Sequence, residues 1–344
     1  MTNQVNRRDF LKALGLAGSA AMVAGCAPAA TPPPATQAPA EAPAEEPKAN
    51  PNEKYVMVSN VAAHPYWLDA QYGGQDAAKQ LGVTWEYTGP ADFDTPAQVT
   101  ALEQIIATKP AGLVVCALQP DAITPAIDKA IAAGIPLVTV DTDAPNSARL
   151  TYLGTENYSA GRSMGLEMLA VLAGAPGKVG LASVPGQFNL EERIRGIKDI
   201  FAEKGGAEVV TVVDDKNDDA ATADAVVAML QANPDINLVG SINAVGAGVA
   251  AALRQTSNVG KIKAVTFDIT EPIITGLEDG SINATMVQRT YMMTYVGVYF
   301  LYYVNHPSDY LANWLKNKIS ILPFAVDTGV MAIHKDQTTA FKKQ

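Results

Sequence analysis

A chain of 344 residues, 48% hydrophobic and only 17% charged, has the material for a substantial core and the length for two domains. Its formal charge of −10 excludes the broad basic face on which nucleic-acid binding depends, and no Lys/Arg run supplies a local one. Two cysteines, at 26 and 116, make no disulfide framework.

The first segments read as targeting and tether rather than fold. Arg7 and Arg8 in NRRDFLK precede an apolar run, a pattern similar to a twin-arginine export signal. That run, 14–24, is too short to span a bilayer and ends in VAGC, which resembles a lipoprotein cleavage box with Cys26 as the lipidated residue. Residues 1–26 are therefore expected to be an export and lipidation signal. The body is expected in the periplasm or on the outer face of the cell membrane. Residues 27–53 open with APAATPPPATQAPAEAPAEEP, which cannot bury a core and reads as a Pro/Ala-rich, semi-rigid tether.

From Lys54 short β-branched runs alternate with helical patterns. KYVMVS is followed by a helix over 66–81, VTWEYT by one over 95–108, and AGLVVCAL by one over 122–133 before IPLVTV. KVGLASV is followed by a helix over 190–204 and EVVTVV by one over 220–232. INLVGSI, IKAVTF and NATMVQ complete the set. Continuous apolar strands alternating with helices imply parallel sheets covered on both faces. This is too many strands for one tidy sheet, so the expected class is α/β with two doubly wound lobes. The segments around IPLVTVD and IKAVTFD share one grammar of strand, helix and second strand, each second strand ending in a lone acid, Asp141 or Asp268. Cys116, inside GLVVCAL, reads as a small buried hydrophobe.

Open parallel sheets bind ligands beyond the carboxyl ends of their strands. The residues standing there are His64, Tyr66 and Trp67; Asp141, Thr142 and Asp143; Gln187, Phe188 and Asn189, with Arg193 one turn on; then Asn243, Asp268 and Gln288. Carboxylates, amides and a guanidinium suit hydroxyls that both donate and accept, and rings suit flat C–H faces, so the set points to a sugar. Each residue also has a plainer reading. Tyr66 and Trp67 equally fit a core, His64 a loop, Asp141, Asp268 and Asn243 helix caps, and Arg193 a solvated helix charge.

The motifs HPYW, PLVTVD, RIRG, SIN, AVTFD and ATMVQ occur in that order. On them, the chain from Lys54 onward resembles the periplasmic sugar-binding proteins of ABC importers, in the ribose-type branch. The resemblance implies a type I periplasmic binding fold whose two lobes are joined by a three-segment hinge near 155–157, 288–290 and 323–325. Lobe 1 would then be 54–155 with 290–322, and lobe 2 would be 156–288 with 323–344. It makes Tyr66 and Trp67 ring-stacking aromatics, His64 the polar residue before the proline, and Asp141, Arg193, Asn243, Asp268 and Gln288 the hydroxyl-binding set. Thr142, followed by Asp143, stands where ribose binders carry Arg, and Asn217 where they carry an aromatic. This favours a differently shaped pentose, hexose, deoxy sugar or polyol over ribose. DTDAP and YTGPADFDTPAQV look like relatives that bind rhamnose or the signal autoinducer-2. The implied partners are a monosaccharide, an ABC permease and, through Cys26, a membrane; a monomer without cofactor or metal is expected.

The rival class is an enzyme. Gly246, Gly248 and Ala251 form G-x-G-x-x-A after a strand, with Asp268 twenty residues past Gly248, as an exported NAD-dependent oxidoreductase would need. Such a fingerprint normally opens its domain, and an Ala/Gly-rich helix explains the glycines by packing. The three histidines (64, 306, 334) lack metal spacing, and two aspartates alone do not specify glycoside hydrolysis.

Overall fold

The computed structural model describes residues 50–341. The paired arginines, Cys26 and nearly all of the tether lie outside those residues.

Two six-stranded sheets carry the described chain. The first contains β1 (Lys54–Val58), β2 (Thr84–Thr88), β3 (Gly112–Val115), β4 (Leu137–Val140), β5 (Tyr152–Gly154) and β11 (Ala325–Asp327). Its order is β11-β5-β4-β3-β1-β2, and every pairing is parallel. The second contains β6 (Gly177–Ser183), β7 (Ala207–Asp214), β8 (Leu238–Ser241), β9 (Lys263–Phe267), β10 (Ala284–Gln288) and β12 (Val330–Ile333). Its order is β12-β10-β9-β8-β6-β7, and only β12 runs antiparallel to its neighbour. The central strands β3, β4 and β8 are buried at every residue, which explains their unbroken apolar sequence. Edge strand β7 alternates between half-buried and exposed residues instead.

The helices are α1 (Leu68–Leu81), α2 (Thr95–Ala107), α3 (Pro120–Ala132), α4 (Asn157–Leu172), α5 (Phe188–Lys204), α6 (Asp219–Ala232), α7 (Gly246–Gln255), α8 (Glu271–Asp279), α9 (Thr290–Asn305) and α10 (Asp309–Lys316). They cover both faces of each sheet. In β1, Tyr55 and Met57 pack with Leu81 and Leu301, whereas Val56 and Val58 pack with Leu102 and Ile127 on the other face. The second lobe repeats the plan, with Val179 and Leu181 of β6 in one core layer and Ala182 in the other. Among the described residues no helix is long and apolar enough to cross a membrane.

The chain passes between the sheets three times: from β5 into α4, from β10 into α9, and from β11 into β12. Helix α9 returns to the first lobe, where Thr294 Oγ1 donates to Ala70 O at 2.5 Å. The third passage lies later than the expected 323–325. Ala325 to Asp327 pair with Tyr152 to Gly154 in the first sheet, and Val330 is the first residue paired in the second. Gly329 turns the chain between them at φ 72, with its N–H on Asp327 Oδ1 at 2.8 Å. Residues 325–327 thus belong with lobe 1. Strands of three or four residues such as β5, β11 and β12 leave too little pattern to be read in advance.

Candidate ligand-binding cleft

Asp141 and Asp268 hold corresponding places in the two lobes, one residue past β4 and one past β9. Both lie in the left-handed region, at φ 62 and 61, which short polar side chains tolerate. Their N–H groups still pair with the adjacent strands, on Leu153 O at 3.1 Å and Met286 O at 2.7 Å. The sheet therefore runs to its last residue and each carboxylate stands at its carboxyl edge.

Arg193, in the second turn of α5, is 4% exposed and lies within electrostatic reach of both acids. Its guanidinium sits 4.0 Å over the Phe267 ring, Nε donates to Asn157 Oδ1 at 2.8 Å and Nη1 to Ile242 O at 2.9 Å. Those contacts use two of its five donors and leave others for a ligand. Burial pushes Asp141 and Asp268 above the ordinary 3.8, and the Arg193 charge opposes that rise at both. For Asp141 the Tyr66 hydroxyl, which donates to Oδ1, opposes it more strongly than Arg193 does. Burial, reinforced by Asp141, in turn holds the Tyr66 hydroxyl far above its usual range, so it acts as a donor.

Gln288, at the end of β10, donates from Nε2 to Asp268 Oδ1 at 2.9 Å and accepts at Oε1 from Thr155 Oγ1 at 2.8 Å. Thr155 marks the first passage between lobes and Gln288 the second, so this chain of hydrogen bonds ties Asp268 to the connecting segments. Asn243, 8% exposed, donates from Nδ2 to Asp215 Oδ1 and Asn217 Oδ1, each at 3.3 Å. His64 is exposed; its Nδ1 accepts from the Tyr66 N–H at 3.2 Å, and its ring lies 6.2 Å from that of Phe93.

Of the other expected residues, Trp67 and Asp143 are committed to structural contacts, and Thr142, Asn189 and Asn217 are exposed. Trp67 is 2% exposed, packs in the lobe 1 core and donates from Nε1 to Asn60 Oδ1 at 3.0 Å, while its ring meets Tyr66 edge-on at 4.9 Å. Pro65–Trp67 form a 3-10 turn, and three residues per turn set neighbouring side chains about 120° apart. The two rings cannot share one direction: Tyr66 faces the cleft and Trp67 plugs the core behind it. Asp143 is taken by Arg149, whose Nε and Nη2 reach Oδ1 and Oδ2 at 2.5 and 2.6 Å. Thr142 is exposed; its hydroxyl donates to Asp141 Oδ2 at 3.4 Å and its carbonyl accepts from the Ala117 N–H at 3.1 Å. Asn189 is exposed at the start of α5 beside Phe188, itself 80% exposed. Asn217, at φ 53, is exposed on the loop after β7.

Two contributors were not foreseen. Cys116 is fully buried as expected, but its thiol lies 3.7 Å from Asp141 Oδ2, beneath the acid. Asp215 is fully buried behind Asn243, and its Oδ2 and the Ser183 Oγ beside it lack a protein partner. Asp215 sits in DDKNDD, which reads as a solvated loop. The end of a strand before that run was the one available clue.

The glycines of the G-x-G-x-x-A run are packing residues. A Cβ on Gly246 would lie 2.6 Å from Thr266 Cβ, and one on Gly248 would lie 2.3 Å from Asp219 O. The Gly248 N–H is already taken by Val245 O and Asp219 Oδ1, each at 3.1 Å. With both glycines packed this closely, the turn lacks the space that a pyrophosphate requires.

His64, Tyr66, Asp268 and Gln288 wall one end of a cavity of about 960 Å³ between the lobes. Comparison with known proteins agrees with this architecture. The family model described as periplasmic binding protein domain matches residues 55–305. The xylose/arabinose-binding protein XylF of Sulfolobus acidocaldarius is 25% identical over 296 residues, covering 81% of this chain and 70% of its own. Among solved structures, AraP, an arabinose-binding protein from Geobacillus stearothermophilus, is similar at a TM-score of 0.81 and 36% identity, covering 85% of this chain and all (100%) of that one. A sugar-binding protein of a sugar ABC transporter from Bacillus halodurans is similar at 0.78 and 32%, covering 84% and 100%.

Proposed function

The chain belongs to the periplasmic binding protein family, and on that premise we propose that it captures a small sugar between its lobes and presents it to an ABC importer. Membership places it outside the cytoplasm. The observation that carries the sugar reading is the meeting of Asp141, Arg193 and Asp268, with Tyr66 and Gln288, at the facing strand ends. Two acids accept from hydroxyls, one buried guanidinium donates, and the Tyr66 ring offers a flat face. The named sugars of the relatives, arabinose and xylose, fit this count of groups. With Thr142 and Asn217 in place of a second cation and a second ring, a pentose other than ribose is the expected ligand.

The lobes close about the three connecting segments, and the Thr155–Gln288–Asp268 chain lets ligand contact bear on that hinge. Binding is the whole of the chemistry: both carboxylates are held by donors, as in a grip, and no activated nucleophile adjoins them. Export by the twin-arginine route, lipidation at Cys26 and action as a monomer complete the reading.

A thermal-shift screen of L-arabinose, D-xylose, D-ribose and hexoses tests it. A ligand at a hundred times its Kd adds about 2.7 kcal/mol, which raises Tm by roughly 5–10 °C in a body of this size. The reading fails if no sugar raises Tm and NAD does.

A further inference from the structure

The exposed apolar side chains are not scattered evenly. Among the described residues thirteen large hydrophobic side chains are exposed, and five of them fall within 303–324: Tyr303, Tyr310, Trp314, Ile319 and Phe324, between 36% and 72% exposed. Helix α10, in the middle of this run, buries none of its residues. Tyr310 and Trp314, four residues apart, share its outer side with ring centroids 5.6 Å apart, where a water-facing helix carries charge. Val304 of α9 lines one apolar depression with Leu315, Ile319 and Leu322, so the end of α9, α10 and the segment after it make a continuous surface. A patch of this kind marks a binding face.

Three observations bear on its occupant. The chain enters the body at this face. His306 Nε2 lies 2.8 Å from Glu53 Oε1, Asn50 donates to the same oxygen at 2.9 Å, and Asn305 Nδ2 donates to Tyr55 Oη at 3.1 Å. The segment that runs back to Cys26 therefore leaves the body beside Tyr303 and Tyr310, and a stretch from 26 to 50 spans at most about 86 Å. The composition is that of a lipid interface: tyrosines and a tryptophan at the rim, with Lys316 and Lys318 against the single acid Asp309, in a chain whose formal charge is −10. The face also lies at the amino ends of the parallel strands of lobe 1, with Glu53 before β1, Leu150 before β5 and Phe324 before β11, whereas the sugar cleft lies at their carboxyl ends. We propose that this face rests on the anionic lipid surface to which Cys26 is anchored. The contact leaves the cleft clear of the lipid and open to incoming sugar. Delivery to the importer requires release, so the contact is weak and reversible, and the short connection to the anchor makes a weak contact sufficient. The inference rests on the lipid anchor at Cys26.

Coupling the full chain through Cys26 to a maleimide-bearing lipid supplies the anchor directly, since Cys116 is buried. The vesicles are phosphatidylcholine with or without phosphatidylglycerol, with brominated acyl chains that quench a tryptophan entering the interface. The expected result is quenching that Trp314→Phe abolishes, because Trp67 and Trp85 pack in the core of lobe 1. Tyr310→Ser should weaken docking about five- to tenfold. Lys316→Gln with Lys318→Gln should weaken it about tenfold on the anionic vesicles alone. These three side chains are exposed, so circular dichroism should stay native. Absence of quenching overturns the docking and leaves the anchor intact; if sedimentation then shows a dimer that Tyr310→Ser splits, the face belongs to a second copy. Quenching that survives Trp314→Phe places a different surface on the lipid and also overturns the proposal. Mass spectrometry of Cys26 from the exported chain reads the anchor separately, and an unmodified Cys26 removes the anchor and this inference with it.

Discussion

Asp143 stands two residues from Asp141, and its replacement separates a ligand contact from a structural one. In the fold, Asp143 Oδ1 accepts from Thr139 Oγ1 at 2.6 Å, the Ala144 N–H at 2.7 Å and Arg149 Nε at 2.5 Å, while Oδ2 accepts from Arg149 Nη2. The Arg149 side chain is 1% exposed, and its remaining fixed contacts are Phe324 O at 3.0 Å and the Phe324 ring at 4.5 Å. Asp143→Ala leaves that guanidinium buried without a counter-ion. Losing one partner of a buried pair costs about 3–5 kcal/mol. Asp143 is itself 22% exposed, so water can enter and the lower half of that range is expected. At roughly 2–4 °C per kcal/mol for a body of this size, Tm should fall by about 6–15 °C. Scanning calorimetry reads the loss, and titration of the variant below its Tm should give a sugar affinity within threefold of the parent. Unchanged Tm with lost sugar binding would refute the argument and return Asp143 to the cleft.

Other substitutions probe the remaining parts. Arg193→Met removes the cation between the two acids; hydrogen bonds to a charged group are worth about 1.5–3 kcal/mol, so affinity should fall roughly 10- to 150-fold by calorimetry while circular dichroism stays native. Gly248→Ala drives a methyl against Asp219 O and Thr222, and should cost about 1–3 kcal/mol in urea unfolding with little change in sugar affinity. Because burial raises Asp141 and Asp268 above 3.8, and hydroxyl donors favour their charged forms, ligand binding should release protons and tighten as pH rises through that interval. Titrations at a series of pH values above 3.8, each in two buffers of different ionisation enthalpy, measure the release; proton uptake would contradict it. The unliganded fold has the opposite sign. It holds protons that the unfolded chain has lost, so its stability should drop as pH climbs from 3.8 through the raised values.

The class of fold was legible because burial on both faces writes itself into a strand as an unbroken apolar run, as in GLVV and LVTV. The places of Asp141, Asp268 and Gln288 were legible because ligands gather where parallel strands end, and Arg193 because it lies in the helix that follows such an end. Trp67 and Asp143 were not, since the same position in sequence admits either direction. A 3-10 turn rotated Trp67 into the core, and Arg149, six residues away, took Asp143. Asp215 was hidden in an acidic run whose other members are exposed.

Hydrophobic period and strand-end chemistry act over a few residues, so the order of amino acids by itself determined two wound lobes and a polar rim between them. Contacts between segments far apart in the chain were decided only on folding. The pairing of Ala325–Asp327 with β5, the meeting of Asp141 with Arg193 across the lobes, and the turning of Trp67 inward each depend on what another stretch brings to the same place. Packing and charge pairing are set by distance in space, and separation along the chain does not encode that distance.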